Sequence, residues 1–254
     1  VHLLGSIHVA RPDVYPLAPA IDTAFERSST LVLEIQLDDG ARREASAQLI
    51  AAASYPAGDS LDKHIPAPLL ERLRARATPP LPPVEALFRF EPWFVSQLLM
   101  MTELTKLGFA EDNGIDRHFQ RRAQGTKRIE ALETIEDQVA LLDRLPPDIQ
   151  VLMLSESLDE LGELGPMLER AFEAWKRGDG QALYNLLMKS LDEPRYAPLK
   201  KRLFSDRNLR MAAAIQERLR KHGSWFVIVG SGHLIGPDGI LALLEAQGIH
   251  AEQL

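Results

Sequence analysis

Two short apolar runs, each closing on Gly-x-x-His, stand at opposite ends of this chain. The first is L-L-G-S-I-H-V, from Leu3 to Val9, and the second is V-I-V-G-S-G-H-L-I-G, from Val227 to Gly236. Each reads as a buried strand rather than a surface helix. In open α/β sheets, ligand sites form beyond the carboxyl ends of the strands. His8 and His233 would then project from two strand ends. If the strands are neighbours, both imidazoles meet at one ligand. Gly5 and Gly230 would let the backbone turn, or let a ligand approach it closely.

The chain between the two runs suits such a sheet. Asp13 to Ser28 reads as a helix, with Asp13 as its cap and Pro16 and Pro19 tolerated in the first turn. T-L-V-L-E-I-Q-L, Thr30 to Leu37, reads as a second strand. Strand, helix, strand is the pattern of a parallel pair. Lys127–Leu132 is expected as a third strand, with Thr134 capping the helix after it. Ser224–Val229 is expected as a fourth strand, Pro237–Gln247 as a helix stopped by Gly248, and Ile249–Leu254 as a closing strand. Residues 41–125 and 146–222 read as helical, with the clearest helix at Glu91–Leu107 and a short one at Gly114–Arg122. The T-P-P-L-P-P break at Thr78–Pro83 is expected to turn the chain rather than to link domains. The fold class is therefore α/β: a small, mostly parallel sheet built from both chain ends, with long helical insertions. A single domain is expected over 1–254, its sheet core at 1–40, 126–145 and 223–254.

A phosphate-binding loop is the competing reading of the C-terminal glycines. A dinucleotide fingerprint needs G-x-G-x-x-G between strand and helix. Here the order is Gly230-x-Gly232-x-x-x-Gly236, one residue too long, and no early strand–helix–strand unit carries the motif. A lone histidine at a strand end is ordinarily structural. The matched pair is what points to function.

Carboxylates fall on the same edge. Leu31, Leu33, Ile35 and Leu37 form one face of the second strand, while Val32 shares the other with Glu34 and Gln36. That face turns polar toward the carboxyl end, where a site belongs, and a buried carboxylate there needs a partner. Glu133 follows the third strand, where a helix N-terminus would also favour it. Asp116 and His118 lie two apart on a short helix and point different ways, so one of the two is expected to reach the site. His64, His222 and His250 read as surface residues. Two histidines with one or two carboxylates suit a divalent cation such as zinc, manganese, cobalt or iron(II). A spare glutamate would serve as general base.

Composition narrows the chemistry. There is no cysteine, which excludes thiolate nucleophiles and Cys-based metal sites. H-E-x-x-H and G-x-S-x-G are both absent from the sequence. Hydrolysis by activated water fits what remains better than covalent catalysis. The net charge of −7 argues against a nucleic-acid partner. No membrane span is expected in the chain, and any export signal would lie upstream of Val1.

These residues form a pattern similar to that of the TraB/GumN family, which includes the Tiki proteins and bacterial pheromone-shutdown proteins. The resemblance rests on L-L-G-S-I-H-V-x-R-P-D-x-Y-P-L at Leu3–Leu17 and L-V-L-E-I at Leu31–Ile35. It continues in N-G-I-D-R-H-F at Asn113–Phe119, L-E-T-I-E-D-Q at Leu132–Gln138, D-R-N at Asp206–Asn208 and V-G-S-G-H-L-I-G-P-D-G at Val229–Gly239. The family's two Gly-x-x-His motifs and glutamate map onto Gly5/His8, Gly230/His233 and Glu34. Its other blocks map onto Asp116, Glu133, Arg207 and Asn208. The resemblance implies a fold related to erythromycin-esterase-like and ChaN-like proteins. It also implies similarity to metal-dependent proteases, with manganese, cobalt or zinc as cofactor and a peptide or protein as substrate. A bacterial periplasmic or exported location is the matching expectation.

The leading expectation is a metal-dependent hydrolase, in particular a peptidase. His8, Glu34 and His233 would be its metal ligands and Glu133 its general base. Asp116, Arg207 and Asn208 would support them, Arg207 by holding Glu133 or binding a substrate carboxylate, Asn208 by donating to an oxyanion. The alternatives are a metal-free ester or amide hydrolase with histidine-activated water, and a non-catalytic module that sequesters a peptide or other ligand.

Overall fold

The structure, a computed structural model, describes residues 1–36 and 39–254. The chain divides into two compact units. The first comprises Val1–Gln36, Gly108–Thr134 and Glu169–Leu254, and the second Leu37–Leu107 and Ile135–Leu168.

The first unit is built on a four-stranded sheet of order β1-β4-β2-β3, with β1 at His2–Ser6, β2 at Thr30–Leu33, β3 at Arg128–Ala131 and β4 at Trp225–Gly230. All pairings are parallel. The two ends of the chain lie side by side, with Gly5 opposite Val229 and Ser6 opposite Gly230. This α/β architecture with a small parallel sheet is the one expected. β2 and β4 are buried along their whole length, as central parallel strands covered on both faces must be. Alternation sends Leu31, Leu33, Phe226 and Ile228 to one face, against Phe25, Ile115, Phe119 and Phe172. Val32, Val227 and Val229 pack on the other, against Met211, Ala212, Ile215 and Ile240.

Several boundaries differ from expectation. The first helix starts at Pro19, and Asp13 lies instead in a separate 3-10 turn, Pro12–Val14. Residues before proline are pushed toward extended backbone; Ala18 is extended before Pro19, which then opens the helix. β2 stops at Leu33, because Glu34 and Ile35 bend away. Leu37, the expected end of that strand, lies outside the described residues. Ile249–Leu254 form no strand. Gly248, at φ 77, turns the chain out of its last helix, and Ala251 to Leu254 remain exposed.

The second unit is helical. Ala67–Arg76, Pro92–Lys106 and Pro147–Glu160 surround a core of Leu61, Leu73, Leu87, Leu99, Leu154 and Leu158. The Thr78–Pro83 segment turns the chain between two helices of this unit. Among the described residues, no helix is long and apolar enough to cross a membrane.

Candidate functional site

The strands bring their carboxyl ends to one edge of the first unit. His8 follows β1, Glu34 follows β2, Glu133 follows β3, and His233 sits on a short helix, Ser231–Leu234, that follows β4. Glycines make the approach possible. A Cβ at Gly230 would lie 2.9 Å from His8 Nε2 and 3.3 Å from Glu34 Oε1. A Cβ at Gly5 would lie 3.0 Å from Ser231 Oγ. That hydroxyl donates instead to the Ser6 carbonyl oxygen, at 2.9 Å, and ties the short helix to β1.

Glu34 is the hub. Its Oε1 accepts the Gly230 backbone N–H at 2.5 Å. The same oxygen faces His233 Nε2 at 3.8 Å and His8 Nε2 at 4.0 Å. Its Oε2 accepts from Arg207 Nη2 at 2.6 Å. Arg207 also grips Glu133, through Nε at 2.9 Å and Nη2 at 2.7 Å, and gives Nη1 to the Leu203 carbonyl. Glu34, Glu133, Arg207 and Asn208 are all buried, as is His233, so this is a desolvated ionic cluster. Such a cluster is tolerated only because every charge has a partner.

Both imidazoles are held from behind. His233 Nδ1 lies 2.6 Å from Asn208 Oδ1, and Asn208 Nδ2 donates to the Asp238 carbonyl oxygen at 2.7 Å. His8 Nδ1 lies 3.0 Å from Asp116 Oδ2, and Asp116 Oδ1 accepts from Ser6 Oγ, also at 3.0 Å. Asp116 gets there because the chain packs tightly at Gly114, where a Cβ would fall 2.2 Å from the His8 carbonyl oxygen. Of the Asp116/His118 pair, Asp116 reaches the site. His118 turns away and stacks on Tyr15, with ring centroids 4.5 Å apart.

The electrostatics separate the two histidines. Burial, with Arg207 adding to it against the pull of Glu34, takes His233 down to about 4, so its ring is neutral near pH 7. Desolvation also works against a charged His8. There, however, Asp116, by charge and hydrogen bond, and Glu34 outweigh it and raise the ring to about 9. His8 keeps 58% of its side-chain surface exposed and is the group of the cluster that meets solvent. For Glu34, burial favours the neutral acid, but His233, His8 and Arg207 prevail and its carboxyl is held below the usual range. Asp116 is likewise held down, by His8 and Ser6 against burial. Arg207 is raised, because Glu133 and Glu34 overcome the cost of its own burial.

Two imidazole Nε2 atoms and one carboxylate oxygen form a donor set that suits a divalent cation. Ties at Nδ1 to a carboxylate and an amide are those that orient metal-binding histidines. The spacing is slightly open: bonds of about 2.1 Å in a tetrahedron place donors about 3.4 Å apart, against 3.8 and 4.0 Å here. As arranged, no group of three or more His, Asp or Glu side chains among the described residues meets the geometry of a metal site. The chemistry of the donors fits such a cation, while their spacing is wider than a bound ion requires. A cavity of about 550 Å³ lies elsewhere, at the amino ends of β2, β3 and β4, lined by Thr30, Arg128, Arg218 and Trp225 among others. It touches none of these groups.

Several contributors were not singled out from sequence. Ser6 lies inside the first Gly-x-x-His motif, but its bond to Asp116 needs the fold to be seen. Gly114 and Asp238 act through backbone geometry. Phe204, whose ring centroid is 5.2 Å from that of His233, belongs to a π-helical turn, Lys201–Ser205, that interrupts the helical path to Arg207. Such turns are frequent at functional sites.

Known proteins bear on this geometry. The chain is similar to "Uncharacterized protein YbaP" of Escherichia coli (strain K12), 26% identical over 248 residues, covering 96% of this chain and 87% of that protein. The protein of the same name from Shigella flexneri matches equally, at 26% over 248 residues. No solved structure matches. The model of the TraB/PrgY/gumN family matches residues 1–253, through both histidine motifs and every block between them, and the chain belongs to that family.

Proposed function

We propose that this protein is a hydrolase that works by activated water, and specifically a metal-dependent peptidase. The observation that carries the reading is the convergence of His8 Nε2 and His233 Nε2 on Glu34 Oε1, at 4.0 and 3.8 Å. The peptide class comes from the family resemblance. In this reading His8, Glu34 and His233 hold manganese, cobalt or zinc. The bound cation supplies Lewis acidity, lowering the pKa of water and polarising a carbonyl. Arg207 and the Gly230 N–H fix Glu34, and Asn208 fixes His233. With Asn208 Nδ2 committed to Asp238, its role is to position rather than to donate to an oxyanion. Glu133 is the candidate base. Its oxygens are engaged by Arg207, so taking a proton from water requires that pair to loosen when substrate enters.

A second reading is favoured by the His8–Asp116 pair, which already has the geometry of an oriented base open to solvent. In it, His8 takes the proton of water directly once its ring is neutral, which its raised value of about 9 places at alkaline pH, and no metal is needed.

The test is cleavage of a peptide library by purified protein with added manganese, cobalt or zinc, and with chelator. Cleavage that needs metal and is lost in His8→Ala and His233→Ala supports the leading reading. Chelator-insensitive turnover transfers support to the second. No cleavage with any metal overturns the leading reading, and no turnover of small esters or amides either, His8→Ala behaving as wild type, overturns the second and leaves a ligand-sequestering module.

A further inference from the structure

We propose that Arg210 is the receptor for a carboxylate carried by the ligand of this site. The sequence leaves that task to Arg207, but Arg207 is enclosed, with 9% of its side chain exposed, and committed to Glu34, Glu133 and the Leu203 carbonyl. Arg210 is three residues further along the Asp206–Leu219 helix, on the same face. Its side chain is 60% exposed, and its Nη2 reaches only to 3.6 Å from Glu133 Oε1.

Neighbouring cations are otherwise engaged. Lys201 is paired with Asp206 at 2.7 Å. Lys200 bridges Asp192 at 2.9 Å and Asp238 at 2.8 Å. Arg210 differs from both, because its counter-charge is shared with Arg207, whose Nη2 holds Glu133 at 2.7 Å. A guanidinium at the rim of a buried ionic cluster, with its counter-ion already gripped by another cation, retains planar donors for an incoming carboxylate. Two parallel N–H···O bonds are the geometry such a fork prefers.

Arg207 Nη2 bridges Glu34 Oε2 and Glu133 Oε2, at 2.6 and 2.7 Å, so Arg210 stands beside the same cluster that His8 and His233 face. On the peptidase reading, on which the choice of a peptide rests, the captured carboxylate belongs to the peptide that is cleaved.

The experiment uses an N-terminally labelled peptide library in matched free-acid and C-terminally amidated forms, with Glu-for-Gln versions of each. Binding is read by fluorescence anisotropy, and any products by mass. Wild type should bind carboxylate-bearing peptides about tenfold more tightly. Arg210→Ala should erase that preference without lowering the thermal midpoint, and Arg210→Lys should restore part of it. A preference that follows the terminus or the Glu side chain names the source of the carboxylate, and either supports the proposal. Equal binding of both forms by wild type, or a preference that survives in Arg210→Ala, overturns it. Carboxylate-dependent binding without any product would sink the peptidase reading and leave Arg210 in its role.

Discussion

Asn208 Oδ1 lies 2.6 Å from His233 Nδ1, and the amide presenting it is fixed by the bond from Asn208 Nδ2 to the Asp238 carbonyl oxygen. An amide nitrogen can only donate, so this partner sets the orientation of the amide and leaves Oδ1 to accept. His233 therefore carries its proton on Nδ1 and turns the Nε2 lone pair toward Glu34. Asn208→Leu removes the acceptor in a buried setting. It should cost about 1–3 kcal/mol of stability and populate the other tautomer. Imidazole nitrogen-15 shifts report this directly, and an unchanged Nδ1–H form in the variant would contradict the assignment.

Gly230 has φ −52 and ψ 138, which an alanine can adopt. Its added methyl would meet His8 Nε2 at 2.9 Å, at the end of an exposed side chain that can swing away. Gly230→Ala should therefore fold, with a thermal midpoint within about 4 °C of wild type; on the metal-dependent reading it should lose metal affinity at least about tenfold. Titration with zinc or manganese by calorimetry tests this. Wild-type affinity in the variant would place the cation elsewhere.

Arg207 neutralises two buried carboxylates. Arg207→Met leaves Glu34 and Glu133 facing each other without it, and should destabilise the fold by about 3–5 kcal/mol. Adding Glu133→Gln removes one of the stranded charges and should recover about 1–2 kcal/mol. Urea denaturation of the two variants measures the difference. Equal stability of single and double variants would show that Glu133 is not the stranded partner.

Asp192 accepts from Lys200 at 2.9 Å and from Tyr184 Oη at 2.7 Å, and these bonds lower its carboxyl from 3.8 to about 2. A depressed folded value adds stability above the unfolded pKa, and that stability drains as pH falls from about 4 toward about 2. Because the group is partly exposed, the contribution is about 1 kcal/mol after solvent screening. Asp192→Asn should lose it at pH 7 and show a flatter acid limb in thermal melts. Parallel limbs would remove Asp192 from the acid response.

The sheet and the histidine pair were legible because apolar runs report burial directly. Glu34 was legible for the same reason: Val32 packs in the core, so a residue two further on the same face is a buried acid. Its surroundings were named through the family resemblance, Arg207 as the holder of Glu133 among them, and not by any pattern in the residues themselves. Arg207 and Asn208 sit on a helix whose register follows a π-helical turn, and no local period announces which face meets Glu34. The bond from Ser6 to Asp116 joins residues 110 positions apart through packing at Gly114. The closing strand failed because apolarity at Ile249 was spent on packing against the helices rather than on a ladder.

The pairing of β1 with β4 also governs when the candidate site can assemble. Ser6 and Ser231, which lock the two histidine segments together, are 225 positions apart. Until β4 is made, a nascent chain carries His8 without its opposite number. Closing so long a loop is among the slower events of folding. The candidate site therefore stays incomplete until β4 has been made and has joined β1.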